Sequence, residues 1–186
     1  MDLPFGSDIT KQFVTNIGLI TTNGTYSNDI MACEWTQQVS YSPGLIAISV
    51  SPNHATHKNI EDTKEFGVNI ASKEQAVMAS IAGNYSGKHV DKIKLLEELG
   101  FKFYNAKKLN LLMVKDAAVC IECKLFKEVR LGDHTMFVGE AVDAYANDKI
   151  PLAYHKGRYG EVSFIPKPTE EELAKIESLV KKYTKV

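Results

Sequence analysis

The sequence predicts a mainly β protein in which antiparallel strands close into a barrel, with helices inserted between them. Three observations carry this. β-type runs outnumber helical ones, and the two kinds do not alternate regularly, which argues against a parallel, doubly wound sheet. Neither a G-x-G-x-x-G turn nor a phosphate-binding P-loop occurs in the chain. At 186 residues the chain suits one domain, with a core able to bury roughly 70% of its unfolded surface.

Val14 to Thr22 is β-type and is closed by Asn23–Gly24, a strong hairpin signal. After Ser27 and Asn28, Met31–Ala32–Cys33–Glu34–Trp35–Thr36 reads as an irregular stretch, and Pro43–Gly44 marks a break. Leu45 to Val50 is almost continuously apolar, the pattern of a strand buried on both faces, and Pro43 fixes where it begins. Thr56 is the predicted N-cap of a short helix over His57 to Asp62. Phe66 to Ile70 is a further strand, and Ser72 with Gln75 forms a capping box for a helix that exits at Gly83. Asp91 leads another helix, with Leu95, Leu96 and Leu99 inward and Gly100 as its stop.

The second half is richer in strands. Ala117–Arg130 and His134–Ala146 flank Gly132–Asp133, which suits a tight primed turn. A short strand follows Pro151, and Ile165–Pro166–Lys167–Pro168 reads as a hinge. Beyond it lies an amphipathic helix. Thr169 caps it, Glu172 completes a capping box, and Leu173, Ile176, Leu179, Val180 and Tyr183 share one side.

A net charge of −1 favours neither nucleic acid nor a membrane surface as a partner. No apolar stretch approaches the roughly 18 residues of a membrane span, and the opening MDLPFGSDITKQF lacks the order of a signal peptide. A cytoplasmic protein is expected. The cysteines are Cys33, Cys120 and Cys123, an odd number that argues against a disulfide framework. Cys120 and Cys123 lie three apart on a predicted strand, so their thiols diverge and no metal site is expected.

The candidate chemistry lies between Asn28 and Ile60. Ser49, Ser51, His54 and Thr56 occupy a strand end and a helix start, where unpaired N–H groups and a partial positive charge favour an anion. A plain helix cap at Thr56 with an exposed His54 meets the same pattern. Lys88, His89 and Lys92 form a second cationic loop, equally compatible with a solvated surface. Trp35 offers a planar apolar face to an aromatic ligand, or a core anchor. The histidines, His54, His57, His89, His134 and His155, are scattered without a nucleophile motif. Cys33 would be a nucleophile only beside a cation that lowered its pKa.

Taken together in order, these pieces resemble the flavin reductase-like family, the FMN-binding split β-barrel flavoproteins that include ferric reductases and flavoredoxins. The matching residues are Asn28, M-A-C-E-W at 31–35, V-S at 39–40, Pro43 and S-P-N-H-A-T-H-K-N-I at 51–60. S-G-K at 86–88, D-K at 91–92, E-C at 122–123, G-D-H at 132–134 and G-E at 139–140 extend the match from about Ile17 to Tyr159. The resemblance implies a split barrel of Greek-key type over residues 1–165, with the helix of residues 166–186 packed on the barrel or on a second subunit. It also implies non-covalent FMN near a homodimer interface. Asn28 and Met31, Ala32, Cys33, Glu34, Trp35, Thr36 and Gln37 would line the ring, largely through backbone groups. Ser49, Val50, Ser51, His54 and Thr56 would hold the ribityl phosphate, with Ser86 and Lys92 adding polar contacts. Many relatives carry Arg where His54 stands, so the phosphate contact here is expected to be weaker or pH-dependent. His155 resembles a position that approaches a nicotinamide.

The implied activity passes hydride from NADH or NADPH to bound flavin, and electrons onward to free flavin, ferric chelates or a protein acceptor. The alternative is an FMN-binding electron carrier, flavoredoxin-like, reduced by a partner protein. A pyridoxamine-phosphate oxidase-type activity is a third reading, against which the order of the motifs speaks.

Overall fold

The expected run of Val14 to Thr22 divides in two in the computed structural model, which describes residues 1–185. β1 (Thr15–Asn16) leaves the main sheet, whereas β2 (Gly18–Thr22) joins it. β3 (Asp29–Cys33) pairs antiparallel with β2 across a six-residue connection that contains the Asn23–Gly24 signal. Most of the stretch read as irregular is therefore strand, and only Glu34 and Trp35 separate it from β4 (Thr36–Ser40). β5 (Leu45–Val50) starts two residues after Pro43, as expected.

α1 (Ala55–Thr63) begins earlier than predicted: its N-cap is His54, and Thr56 lies buried in its first turn. Lys64 ends the helix in the left-handed region at φ 59°. β6 (Glu65–Ile70) follows, and then a short 3-10 turn, Lys73–Gln75, in which Gln75 Oε1 accepts from the Ser72 N–H at 3.0 Å. α2 (Ala76–Asn84) runs one residue past Gly83. α3 (Lys92–Glu98) is capped by Asp91, whose carboxylate accepts from the Lys94 N–H at 3.1 Å. Its buried face is Lys92, Ile93 and Leu96, while Leu99 is exposed, because the helix ends before Leu99 can turn inward.

β7 (Phe103–Asn105) and β8 (Leu112–Val114) form a small hairpin that the sequence did not reveal. The loop between them is fastened by the buried Glu122 carboxylate, which accepts from the N–H groups of Lys107, Lys108 and Leu109 at 2.7, 2.8 and 3.2 Å. β9 (Val119–Leu131) and β10 (His134–Ala146) are joined by Gly132–Asp133, with Gly132 at φ 58° as a primed turn requires. β11 (Leu152–His155) and β12 (Arg158–Glu161) form a second hairpin, around Lys156 and Gly157 at φ 51° and 74°.

The seven-stranded sheet has the order β3-β2-β6-β9-β10-β5-β4, and every pairing in it is antiparallel. Its outermost strands, β3 and β4, are successive in the chain, so Glu34–Trp35 closes the sheet on itself. The barrel interior holds Ile20, Met31, Ile48, Val50, Phe66 and Phe137, all buried, and Cys123 with them. Cys120, on the other side of β9, packs with Leu19, Met78, Leu96 and Met113 under α2 and α3, so the two thiols do diverge. Burying the side chain of Phe66 or Phe137 is worth about 1.5–3 kcal/mol each.

α4 (Glu170–Tyr183) has the expected cap, with Thr169 Oγ1 accepting from Glu172 N–H at 3.3 Å. No residue of it is buried, and Leu173, Ile176, Leu179, Val180 and Tyr183 remain exposed. The helix is not seated on its own barrel. Among the described residues, no helix is long and apolar enough to cross a membrane.

Candidate functional site

The corner that closes the barrel is tightly tied. Thr36 Oγ1 donates to Cys33 O at 3.0 Å, and Ser49 N–H donates to Trp35 O at 3.1 Å. The Cys33 thiol donates to Trp35 O and Ser49 O at 3.6 and 3.5 Å. Gly18 is required beneath it, since a Cβ there would lie 2.4 Å from Thr36 Oγ1. With its backbone held this way, Trp35 is turned outward. It is 56% exposed, and its ring lies 4.7 Å from that of His134.

Against this corner lies a cavity of about 440 Å³, within the range of small-molecule sites. Glu34, Trp35, Thr36 and Gln37 form one side, and Ala47, Ser49 and Met136 form the floor. The register explains the floor: Gln37 stands opposite Ala47, and Ser49 opposite Met136, all on the outer face of the barrel wall. Phe13, Val14, Thr15 and Asn16 cross over as the remaining side. That cover is why Ala47 is buried although it faces outward.

The expected ring-binding residues thus divide. Glu34, Trp35, Thr36, Gln37 and Ser49 line the cavity together. Met31, Cys33 and Val50 point into the barrel, so they reach it only through backbone or by supporting the wall. Ala32 faces α2, with its Cβ 3.4 Å from where a Cβ on Gly83 would lie. Asn28 is elsewhere, beside a cavity of about 110 Å³ with Asn23, Asn105 and Asn110. Burial pushes the Cys33 thiol up, so it is no thiolate nucleophile. Burial also raises the Glu34 carboxyl above the usual range. His155 is half-buried behind the covering arm, donating from Nδ1 to Phe13 O at 3.4 Å.

The anion-cradle residues form a second group. Lys92 is buried and paired with the buried Asp29 at 3.1 Å, and the Thr56 hydroxyl donates to the same carboxylate at 3.4 Å. Gly87 packs on that carboxylate, so closely that a Cβ would lie 2.3 Å from Asp29 Oδ1. This node binds the Ser86–Lys88 loop, α3 and the start of α1 into one unit. Thr56 and Lys92 therefore shape the cradle from beneath, because Asp29 occupies their polar atoms. His54 stands partly exposed at the cradle's lip, and Ser51 is half-buried beside it. Burial lowers the pKa of His54, and the charges of Lys92, His134 and Lys88 add to that effect against the opposing pull of Asp29. His134 packs against the Trp35 ring and so stands next to the cavity without lining it.

The arrangement fits a ring-and-phosphate ligand such as a flavin nucleotide. The cavity beside Trp35 suits the ring, and the cationic group suits the phosphate. Two buried polar atoms without partners, Thr15 Oγ1 and Asn16 Oδ1, belong to residues that line the cavity. Sequence reasoning missed Phe13 to Asn16, Ala47, Met136 and His134 as site residues. Of these only His134 carried a signal, in the G-D-H match.

Comparisons with known proteins bear on the fold and the family. The ferric-chelate reductase (NAD(P)H) of Archaeoglobus fulgidus is 29% identical over 107 residues, 58% of this chain and 61% of that protein. A flavin reductase solved in its native state superposes with a TM-score of 0.74 at 27% identity, covering 88% of this chain and 100% of the other. The flavoredoxin of Methanosarcina acetivorans shares the fold, with a TM-score of 0.77 at 19% identity over 95% of this chain and 99% of its own. The model of the flavin reductase like domain matches residues 10–163. The chain belongs to the flavin reductase-like family.

Proposed function

We propose that the protein is an FMN-dependent oxidoreductase that takes hydride from NADH or NADPH and passes electrons to free flavin, a ferric chelate or a protein acceptor. The observation that carries this reading is the cavity of about 440 Å³ at Trp35, floored by Ala47, Ser49 and Met136, with His134 against the Trp35 ring. Trp35 and Met136 offer apolar surface for a ring, and α1 begins six residues after Ser49 on the floor, where its N-terminus suits an anion. A relative named as a ferric-chelate reductase (NAD(P)H) supports the donor and one class of acceptor.

A bound flavin would supply the two-electron chemistry. The chain's own task is placement. Trp35, Thr36 and Gln37 hold the ring against the outer barrel wall, while Ser49 and Met136 set its depth. His54, Lys88 and His134 attract the phosphate at the start of α1, and Ser51 and Ser86 add hydroxyls. The Asp29–Lys92 pair keeps the cradle's elements together. Phe13 and the nearby His155 edge the open side, where a nicotinamide would enter. No acid or base is needed for hydride transfer between two stacked rings. A homodimer is part of the proposal, since Phe13, Val14 and Trp35 are exposed apolar residues at the cavity rim.

The test is an anaerobic absorption spectrum of the protein with FMN, titrated with NADH and then NADPH. Bleaching by either nicotinamide is the expected result and identifies the donor. A bound flavin that stays oxidised would replace this reading with that of an electron carrier reduced by a partner protein. Failure to retain flavin would overturn the site.

A further inference from the structure

The chain has five methionines and three cysteines, and the fold treats their sulfurs unequally. Met31 lies in the barrel interior at 7% exposure, and Met78 and Met113 lie in the core around α2 and α3 at 0% and 1%. The cysteines are buried as well, and burial pushes each thiol up, Cys123 to about 12. A buried thiol held protonated is a poor nucleophile toward an oxidant. Met1 is exposed but does not line the cavity at Trp35. Among the described residues, only Met136 places a partly exposed sulfur side chain in the floor of that cavity.

The register turns this side chain toward the cavity and away from the core. Phe137, the next residue of β10, is in the barrel interior, so Met136 projects from the opposite face. It stands opposite Ser49 of β5, whose neighbours Ile48 and Val50 are likewise interior. Ser49 and Met136 therefore share the outer face, where the cavity has its floor. A thioether there is soft and flexible, and it packs well against a ring. Its sulfur is also open to two-electron oxidation, which turns an apolar side chain into a polar sulfoxide.

We propose that Met136 is the cavity's oxidisable sulfur, and that its conversion to the sulfoxide by hydrogen peroxide loosens the bound ring. This rests on the flavin reading above. The oxidant belongs to the same chemistry: dioxygen takes two electrons and two protons from a reduced flavin and becomes hydrogen peroxide. In the step itself the thioether lone pair attacks one peroxide oxygen, the O–O bond breaks, and an S–O bond forms. The sulfur loses two electrons, and the other oxygen leaves as water. The sulfoxide oxygen then occupies a floor from which the ring needs apolar surface. A protein that spends its electrons on dioxygen thereby lowers its own hold on flavin, until a sulfoxide reductase reverses the change.

The experiment treats the flavin-free, full-length protein with hydrogen peroxide in stages, and follows peptide masses and FMN binding together. Met136 should gain one oxygen, about 16 Da, ahead of Met31, Met78 and Met113. FMN affinity should fall roughly 10-fold in step with that gain, and methionine sulfoxide reductase should restore it. Met136→Leu sets its own starting affinity, which the same treatment should leave unchanged. Should that variant fail to fold, the staged oxidation of the wild type and its reversal carry the test. Oxidation of the three buried methionines as fast as Met136, an affinity indifferent to fully oxidised Met136, or an equal loss in Met136→Leu would overturn the inference and leave the flavin site standing. Absence of FMN binding before any peroxide is added would instead remove the reading on which it rests.

Discussion

His54 illustrates how one side chain can couple folding and ligand to pH. Burial and the charges of Lys92, His134 and Lys88 lower its pKa from the ordinary 6.5. Burial likewise lowers His57, against the opposing pull of Glu61. The unfolded chain therefore binds more protons than the folded one in the interval just below 6.5, so stability rises with pH through that interval and levels off above it. Thermal midpoints measured from pH 5 to 7.5 should fall on acidification, and less so in His54→Gln. A phosphate at the cradle acts in the opposite sense, because it favours the protonated ring. FMN should accordingly bind more tightly at pH 5 than at pH 8, whereas riboflavin should not. An FMN affinity flat across that range would show that His54 does not face the phosphate. At this scale the sequence singled out Trp35, Thr36 and Ser49, and the structure brings these three to one cavity. Thr15, Asn16, Ala47 and Met136 were not singled out, because only the folded register brings them beside Trp35.

Among the elements, strands with a strong local pattern were legible, and those defined by long-range pairing were not. β5 and the β9–β10 hairpin follow directly from an apolar run and a Gly-Asp turn. β4, TQQVS, has exposed polar residues at its centre and is strand only because β5 lies beside it. The start of α1 was displaced toward Thr56 because a hydroxyl there is the usual cap; Asp29 claims that hydroxyl instead. The link between β3 and β4 depends on close backbone approach at Gly18. Gly18→Ala should cost about 1–3 kcal/mol in denaturant unfolding, since its methyl group overlaps Thr36 and the seam must spread. The same seam carries Trp35, so flavin affinity should fall along with stability.

For the whole molecule, the open apolar face of α4 is the largest departure from a self-contained fold. A lone helix of 14 residues is marginal in water, however well it is capped. The homodimer proposed above gives this face a place on the partner. Light scattering behind size exclusion should show a dimer, and its thermal midpoint should rise with protein concentration. Truncation after residue 165 should weaken the dimer while the barrel still folds, in keeping with the proposed division at 165/166. A monomer at all concentrations would remove the partner from the proposal. The barrel class was visible from the balance of strands and helices, but the placement of α4 was not, because amphipathicity specifies a face without specifying what covers it.

The seam at Glu34–Trp35 has a consequence for folding as well as for binding. The two outermost strands of the sheet are joined by only two residues, although five other strands lie between them in the sheet order. The cavity draws its floor from β5 and β10, one side from this corner and β4, and the other from Phe13 to Asn16, so its lining exists only where the folded chain brings these distant stretches together. Ligand that binds the native chain alone, at 100 times its dissociation constant, would hold that state by a further ~2.7 kcal/mol.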